Sequence, residues 1–184
     1  IFFDLIKRLN PKEKIIYRAS DALDTIDVAH YVSKTFERIA SQIDAVVVIS
    51  KALAEGIPSR DNVVFVPQGI DPAIEKIADP SPYGEGIHAV SIGSMLFGEN
   101  FFVLASKRFP NIHFHVIGSC KPRHPGDGSN VTVYGEMPFE KTVPYIKHAD
   151  IGIAPYSSSQ LPAYLRDTSL KLTQYAFFGL PAVC

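Results

Sequence analysis

Short apolar runs alternate with amphipathic segments through the second half of the chain, and this alternation limits the folds open to it. The predicted elements are strands at residues 87–93, 111–118, 131–135, 151–156 and 181–184, and helices at residues 99–109, 138–149 and 168–178. Strands and helices that alternate over short connections form a parallel sheet with helices on both faces. The pattern therefore predicts a Rossmann-like domain.

The first part of the chain predicts a second unit of the same kind. A strand at Ile15–Tyr17 precedes a polar turn and an amphipathic helix over residues 28–43. The β-branched run at residues 44–50 is typical of a strand that is covered on both faces. A short helix stopped by Gly56 and a strand from Asn62 follow, which completes the same strand and helix alternation.

The two parts meet in residues 71–86, which lose periodicity and contain three prolines and two glycines. We predict an α/β fold with two Rossmann-like domains: residues 1–70 end the first, 71–86 are a linker and 87–184 form most of the second. Because the chain starts at Ile1 without a methionine and stops inside a predicted strand, we expect an internal piece of a longer protein.

Composition excludes several classes of function. With 18 basic and 19 acidic residues and a net charge of -1, the chain offers no basic surface for nucleic acid. No apolar stretch reaches the roughly 20 residues of a membrane-spanning helix. Cys120 and Cys184 are too few for a secreted disulfide framework, so we predict reduced thiols in the cytosol.

Ligands of open parallel sheets bind at the carboxyl ends of the strands, so the residues after each predicted strand are the candidates for binding. These are Gly93-Ser94-Met95, Gly118-Ser119, Gly135-Glu136-Met137 and Pro155-Tyr156-Ser157. Lys171 and Gln174 lie three residues apart near the start of a predicted helix and share one face. A cation at a helix start is unfavourable unless an anion is nearby, which indicates a site for the diphosphate of a nucleotide sugar.

Two groups of residues have more than one interpretation from the sequence. Asp21, Asp24 and Asp27 precede a predicted helix, where acids commonly cap the helix or favour its dipole, although their spacing also suits a divalent metal. His113 and His115 alternate in one strand and face the same side, which suits polar sheet residues better than a metal pair.

Five segments together resemble a known family: SIGSMLF, HFHVIGS, VYGEM, YIKHADIGIAPY and SLKLTQYAFFGLPAVC. With the two-domain pattern they resemble the GT-B glycosyltransferases and, among these, the GumK-like glucuronosyltransferases of the bacterial xanthan pathway. The resemblance covers essentially the whole chain. It implies an inverting, metal-independent transfer of glucuronic acid from UDP-glucuronic acid to a mannose at the end of a lipid-linked oligosaccharide in exopolysaccharide synthesis.

The resemblance also assigns roles to residues of this chain. The predicted contacts to the UDP part of the donor are Met95, Glu136, Tyr156, Lys171 and Gln174. Asp21 falls at the position of the catalytic base. Leu170 stands where the family has a methionine, which keeps apolar packing.

Further donor contacts come from polar residues near the same strand ends. Ser94 follows the first strand of the second domain, and Arg123 and His124 lie in the loop after the next strand. Arg166 precedes the last helix and suits a pairing with the carboxylate of the donor sugar. No metal or cofactor is predicted.

A lipid-linked acceptor implies peripheral contact with the cytoplasmic face of the inner membrane, which we expect through a part of the first domain outside this chain. Other functions remain open at this point. One is another UDP-sugar-dependent transferase or an epimerase of the same fold, and another is a non-catalytic domain that binds nucleotide sugars.

Overall fold

The computed structural model of the protein describes residues 2–59, 61–77, 80–94, 97–118, 130–157 and 161–184. Its helices are α1 (Phe3–Leu9), α2 (His30–Ile39), α3 (Lys51–Glu55), α4 (Glu99–Arg108), α5 (Phe139–Lys147), α6 (Ala163–Thr168) and α7 (Leu170–Phe177). Its strands are β1 (Ile16–Ala19), β2 (Ala45–Val48), β3 (Val63–Phe65), β4 (Ile87–Ile92), β5 (Ile112–Ile117), β6 (Val131–Gly135), β7 (Ile151–Ile153) and β8 (Ala182–Val183). The predicted α/β class is confirmed.

The chain divides into two compact units. The first contains the residues up to Gly69 together with Pro162–Thr168, and the second contains Ile70–Leu161 with Ser169–Cys184. Helix α6 therefore belongs to the first unit although it follows β7 in the sequence. Residues 71–86, for which the sequence predicts a linker, carry a short 3-10 helix at Pro72–Lys76 and group with the second unit.

The first unit is built on a parallel sheet with the strand order β1-β2-β3. Val46 and Val48 of the central strand are fully buried on one face of this sheet, whereas Ala45 and Val47 on the other face are partly buried. Helix α3 follows β2 directly, and the Ser50 side chain caps it by accepting a hydrogen bond from the Leu53 amide at 3.1 Å. The loop after β1 lies at the carboxyl edge of this sheet.

The second unit is built on a parallel sheet with the strand order β6-β5-β4-β7-β8. One face packs against α4, where Phe102 is fully buried with Phe114 and Val116. The other face packs against α5 and α7, through Ile146 and Tyr175. Helices on both faces of a parallel sheet are the arrangement that the alternating sequence pattern predicts.

Two helices were not predicted from the sequence. Helix α1 occupies the apolar run at residues 1–10, to which no element was assigned, and α6 lies in the interval that the sequence leaves as a loop before the last helix. Both span fewer than two full turns, which is too short for a periodic pattern. Within the described residues, no helix has the length and apolar composition needed to cross a bilayer.

Candidate functional site

Three neighbouring strands of the second unit end in glycines with positive φ. The angles are +93° at Gly93, +147° at Gly118 and +77° at Gly135, after β4, after β5 and at the end of β6. The Gly93 amide donates to the carbonyl of Ile117 at 2.8 Å, and the Gly118 amide donates to the carbonyl of Gly135 at 2.9 Å. A ligand can approach the main chain closely here because no Cβ atoms stand in the way.

The order of the strands places a topological switch between β4 and β7. The chain runs from β4 outward to β5 and β6, then returns to the other side of β4 as β7. Open α/β sheets bind their ligands in the crevice outside such a point. The binding site expected from the fold is therefore at the ends of β4 and β7.

Tyr175 fills the space where these two strands separate. Its hydroxyl lies 3.1 Å from the carbonyl oxygen of Val90 and 3.2 Å from that of Ile153, and it accepts a hydrogen bond from the Ile92 amide at 3.3 Å. Burial raises the pKa of Tyr175 above its ordinary value, so the hydroxyl keeps the proton that it donates. A Cβ at Gly152 would lie 2.5 Å from the ring, which explains the glycine in β7.

Lys171 lies one turn before Tyr175 on α7 and therefore shares its face of the helix. Its Nζ atom is 5.2 Å from the centre of the Tyr156 ring, and its Cε is 3.9 Å from the position of a Cβ on Gly93. The ammonium group thus reaches the ends of both strands at the switch point. An aromatic face stabilises a cation at this distance.

Ser169 connects Tyr156 to the start of the same helix. The hydroxyl groups of Tyr156 and Ser169 are 2.6 Å apart, and Ser169 Oγ accepts from the Leu172 amide at 3.4 Å as the N-cap of α7. The first turn of a helix carries partial positive charge, and Lys171 adds a full charge to it. We call the group Gly93, Gly118, Gly135, Tyr156, Ser169 and Lys171 the strand-end edge; its charge and open backbone suit an anion such as a diphosphate.

The remaining predicted donor contacts have different positions. Gln174 is half-buried further along α7, and Ser94 follows Gly93 directly. Glu136 is exposed immediately after β6. Three strand spacings, roughly 14 Å, separate β6 from β7, so Glu136 and Lys171 lie too far apart to contact the same chemical group.

Three predicted contacts, Met95, Arg123 and His124, lie outside the described residues. Arg166 is exposed on α6, which groups with the first unit. A separate pocket of about 750 Å³ touches Tyr156 but is otherwise lined largely by apolar groups, including Phe97, Phe101 and Val183. It lacks the convergent charge of the strand-end edge, so we assign the site to the edge rather than to this pocket.

Asp21 lies in the loop after β1 of the first unit and is half-buried. It lines a pocket of about 260 Å³ together with the aromatic rings of Tyr17 and Phe36. Helix α2 begins at His30, has Ala29 as its N-cap and has no acidic residue in its first turn. The interpretation of Asp21, Asp24 and Asp27 as helix-capping residues is therefore wrong.

Two partners of Asp21 were not predicted from the sequence. Tyr164 of α6 donates a hydrogen bond from its hydroxyl to Asp21 Oδ1 at 3.2 Å, and the same hydroxyl lies 2.9 Å from Thr25 Oγ1. Asp21 and Tyr164 are 143 positions apart in the chain, so no local pattern could have shown the contact. The one available signal is Tyr164 itself, an aromatic residue with a polar tip two positions after Pro162.

The two histidines of β5 have separate roles. His113 is exposed, and its ring stacks on His88 with 5.4 Å between ring centres. His115 is buried, and its Nε2 lies 3.0 Å from Nδ1 of His88. Because His88 Nε2 faces the carbonyl oxygen of Gly84 at 3.2 Å, it must carry the proton there, and Nδ1 is left to accept from His115.

Tyr134 completes this chain by donating to His115 Nδ1 at 2.9 Å. Burial, followed by the charges of His88 and His113, lowers the pKa of His115 to about 4. His88 and His115 thus form a hydrogen-bonded network with Tyr134, and His113 stacks beside it, consistent with polar sheet residues. Across the described parts of the chain, no cluster of three histidine, cysteine, aspartate or glutamate side chains has the geometry to hold a metal ion.

Comparison with known proteins gives three results. Residues 1–49 match the family described as glucuronosyltransferase GumK, N-terminal domain. The chain is 57% identical over 183 residues to a UDP-glucuronate:glycolipid 2-beta-glucuronosyltransferase from Xanthomonas campestris pv. campestris, and the match covers 100% of this chain and 46% of that protein. This chain thus spans less than half the length of its relative.

Among solved structures, the chain resembles a sucrose-phosphate synthase from Thermosynechococcus elongatus. The TM-score is 0.62 with 14% sequence identity, over 95% of this chain and 51% of that one. At this identity the likeness shows the fold alone. It confirms the predicted α/β fold of GT-B type.

Proposed function

We propose that the protein containing this chain is a GumK-like enzyme that transfers glucuronic acid from UDP-glucuronic acid to a glycolipid. Residues 1–49 match the GumK N-terminal family, and the whole chain matches a glucuronosyltransferase. The observation that carries this proposal is the 57% identity over 183 residues to an enzyme whose name specifies that donor and that class of acceptor. The acceptor that we propose is a mannose at the end of a lipid-linked oligosaccharide, within exopolysaccharide synthesis.

The strand-end edge is the proposed site of the UDP part of the donor. Lys171 and the first turn of α7 supply positive charge where a diphosphate accumulates negative charge as it leaves. Tyr156 and Ser169 hold this helix start in place through their 2.6 Å hydroxyl contact. Glu136, at the other end of the edge, is suited to accept hydrogen bonds from ribose hydroxyls.

We propose that the leaving group is stabilised without a metal ion. The support for this is the charge that the chain itself provides, since a lysine ammonium and a helix start together can neutralise part of a diphosphate. Gln174, one turn along α7, adds a neutral hydrogen-bonding group to the same face.

Asp21 is the proposed general base. Its half-buried carboxylate faces a pocket large enough for a sugar ring, and aromatic rings of the kind that pack on sugars line that pocket. In the proposed step, Asp21 takes the proton of the acceptor hydroxyl, the oxygen forms a bond to the anomeric carbon, and the bond from that carbon to UDP breaks. A single displacement of this kind inverts the anomeric configuration.

The proposed reaction takes place at the cytoplasmic face of the inner membrane. A lipid-linked acceptor is confined to the bilayer, whereas a nucleotide sugar is water-soluble, so the enzyme must work at the membrane surface. We expect peripheral attachment, with the contacting surface in the part of the protein outside this chain.

The test is an assay of UDP release by the full-length protein from UDP-glucuronic acid, with EDTA present and a mannose-ended glycolipid as acceptor. We expect release that depends on the acceptor and that falls by at least about a hundredfold in Asp21→Asn, the loss typical of removing a general base. The matched control is Asp27→Asn, which changes an exposed carboxylate of the same loop that does not line the pocket.

The outcomes separate the parts of the proposal. Release with UDP-glucose but not with UDP-glucuronic acid would overturn the donor assignment and keep the reaction class. Loss of activity in EDTA that returns with magnesium would overturn metal independence. Binding of the nucleotide sugar with no release of UDP from it would instead support a non-catalytic nucleotide-sugar-binding protein.

A further inference from the structure

The loop that carries Asp21 contains a short chain of hydroxyl groups. Tyr164 lies between Asp21 Oδ1, at 3.2 Å, and Thr25 Oγ1, at 2.9 Å. Thr25 Oγ1 lies 2.8 Å from the carbonyl oxygen of Ala22, which also accepts from the Thr25 amide at 3.0 Å. Four oxygen atoms are thus connected in sequence, from the carboxylate to the main chain.

Tyr164 is held firmly in this position. Its side chain is only 5% exposed, and α6 carries it against α3. The Thr168 hydroxyl donates to the carbonyl oxygen of Tyr164 at 2.7 Å, which secures the short helix. Burial raises the pKa of Tyr164, so its hydroxyl keeps its proton at neutral pH.

The number of protons allows two complete hydrogen-bond patterns. When Asp21 is ionised, Thr25 donates to Tyr164 and Tyr164 donates to Asp21, while the Ala22 carbonyl keeps its bond from the Thr25 amide. When Asp21 carries a proton, two of these bonds reverse and one is gained: Asp21 donates to Tyr164, Tyr164 donates to Thr25, and the Thr25 hydroxyl now donates to the carbonyl oxygen of Ala22. Each pattern uses every hydroxyl proton, so neither leaves a buried donor unsatisfied.

We propose that Tyr164 and Thr25 are positioning residues for Asp21, forming a hydroxyl relay that reverses direction as the carboxyl group gains and loses a proton. The inference rests on the proposed role of Asp21 as general base. Tyr164 holds the free carboxylate in one orientation by donating to it. After the transfer, the same hydroxyl accepts the new proton of Asp21, so the side chain need not move.

The proton balance of the cycle is simple. The proton that leaves the acceptor hydroxyl ends on Asp21, and the hydroxyl protons of Tyr164 and Thr25 rotate without leaving their own oxygens. Asp21 then loses its proton to water, which is possible because it is half-buried rather than enclosed. The other ionisable groups that line the pocket are Tyr17, Asp24 and Glu37.

The test compares three variants of the full-length protein by steady-state kinetics over a range of pH. In Tyr164→Phe, which removes one oxygen, we expect kcat to fall about tenfold with the donor KM unchanged. The acid limb of the pH profile should move to higher pH, because the ionised carboxylate loses a donor. Thr25→Val should lower kcat about threefold, and Thr25→Ser should restore it.

The matched control is Tyr31→Phe, which removes the hydroxyl of an exposed tyrosine on α2 of the same unit. It should leave kcat and the pH profile unchanged. Because Thr25 is exposed, Thr25→Val provides a test that does not depend on how well the buried Tyr164 site tolerates substitution.

Three results would count against the relay, and they differ in what else they affect. Wild-type kcat and an unshifted pH profile in both Tyr164→Phe and Thr25→Val, with Asp21→Asn inactive, would overturn the relay and leave the base in place. Full activity in Asp21→Asn would overturn the assignment of the base, and the relay with it. An equal fall in kcat for Thr25→Val and Thr25→Ser would also overturn the relay.

Discussion

The Asp21 loop and the strand-end edge solve the problem of holding a charged group in opposite ways. Asp21 is oriented by a side chain, the hydroxyl of Tyr164, which comes from a distant part of the sequence. Lys171 lies between the Tyr156 ring and the main chain at Gly93, in the first turn of a helix, and glycines end the strands beside it. The first site is built from side-chain hydroxyls and the second from backbone geometry.

This difference predicts which substitutions each site tolerates. At the Asp21 loop, removing a single oxygen changes the hydrogen bonds of the carboxylate, whereas the backbone stays as it is. At the strand-end edge, most side chains can change while the backbone that we propose for anion binding remains. At this edge, the positions sensitive to substitution are Lys171, which supplies the charge, and the glycines that end the strands.

The largest effect that we expect at the strand-end edge comes from Lys171→Met, which keeps the length of the side chain and removes its charge. Loss of a group that stabilises the leaving diphosphate should lower kcat/KM for the donor by about 10² to 10³. The folded state should be as stable as the wild type or more so, because a cation in the first turn of a helix opposes the helix dipole. Donor kinetics and urea unfolding of the full-length protein measure the two effects.

The control for this substitution is Lys141→Met, which changes an exposed lysine on α5 of the same unit. It should leave kcat/KM within a factor of two. A large loss of stability in Lys171→Met without a loss of kcat/KM would show that the lysine is structural, and would remove the contrast between the two sites.

A second difference between the units is their response to acid, through the buried pair of His88 and His115. Burial lowers the pKa of His115 to about 4 from an ordinary value of 6.5. Above about pH 6.5 the imidazole is neutral in both the folded and the unfolded chain. Between pH 6.5 and 4, His115 binds a proton in the unfolded chain but not in the folded chain. As the pH is lowered through this range, the free energy of unfolding therefore falls by up to about 3 kcal/mol.

The measurement is hydrogen exchange of the backbone amides at pH 7 and at pH 4.5. Protection of β4 and β5 should fall at the lower pH by more than protection of β2 in the first unit. His115→Gln removes the titrating group and should reduce the difference, whereas His30→Gln, at an exposed position on α2, should not change it. Equal loss of protection in β2 and β5 would contradict the assignment to the histidine pair.

The fold could be predicted from the sequence because its information is local. Runs such as the one at residues 45–48 are β-branched and fully apolar, and such runs have few structural alternatives in a parallel sheet. The start of α7 could be placed as well, since Ser169 is a common N-cap type and Gly179 follows the helix. Lys171 therefore lies in the first turn of α7, as the helical spacing of the sequence predicts.

The contacts that give the sites their chemistry could not be predicted in the same way. Tyr164 reaches Asp21 across 143 positions, and Tyr175 reaches Val90 across 85, so neither contact has a signature in any window of sequence.

The acids near Asp21 show a second limit of prediction from the sequence. Their spacing before a helix suggested capping, but the chain makes a turn at residues 23–25 and the helix starts later, at His30. Local propensity cannot decide between a cap and a loop when both favour aspartate.

The smallest effect that we predict tests the backbone side of the comparison, through Gly118→Ala. A Cβ at this position would lie 3.1 Å from the carbonyl carbon and oxygen of Gly93 and from Ser94 Oγ, on a residue with φ of +147°. The substitution should cost about 1–2 kcal/mol of stability through backbone strain and should weaken UDP binding, because the main chain at the ends of β4 and β5 must move apart. Calorimetric titration with UDP and urea unfolding measure the two effects.

Gly84→Ala is the matched control, since a Cβ there meets nothing within 4 Å. If Gly118→Ala loses stability but binds UDP as the wild type does, the glycines serve only the fold, and the anion site depends on Lys171 and the start of α7 alone.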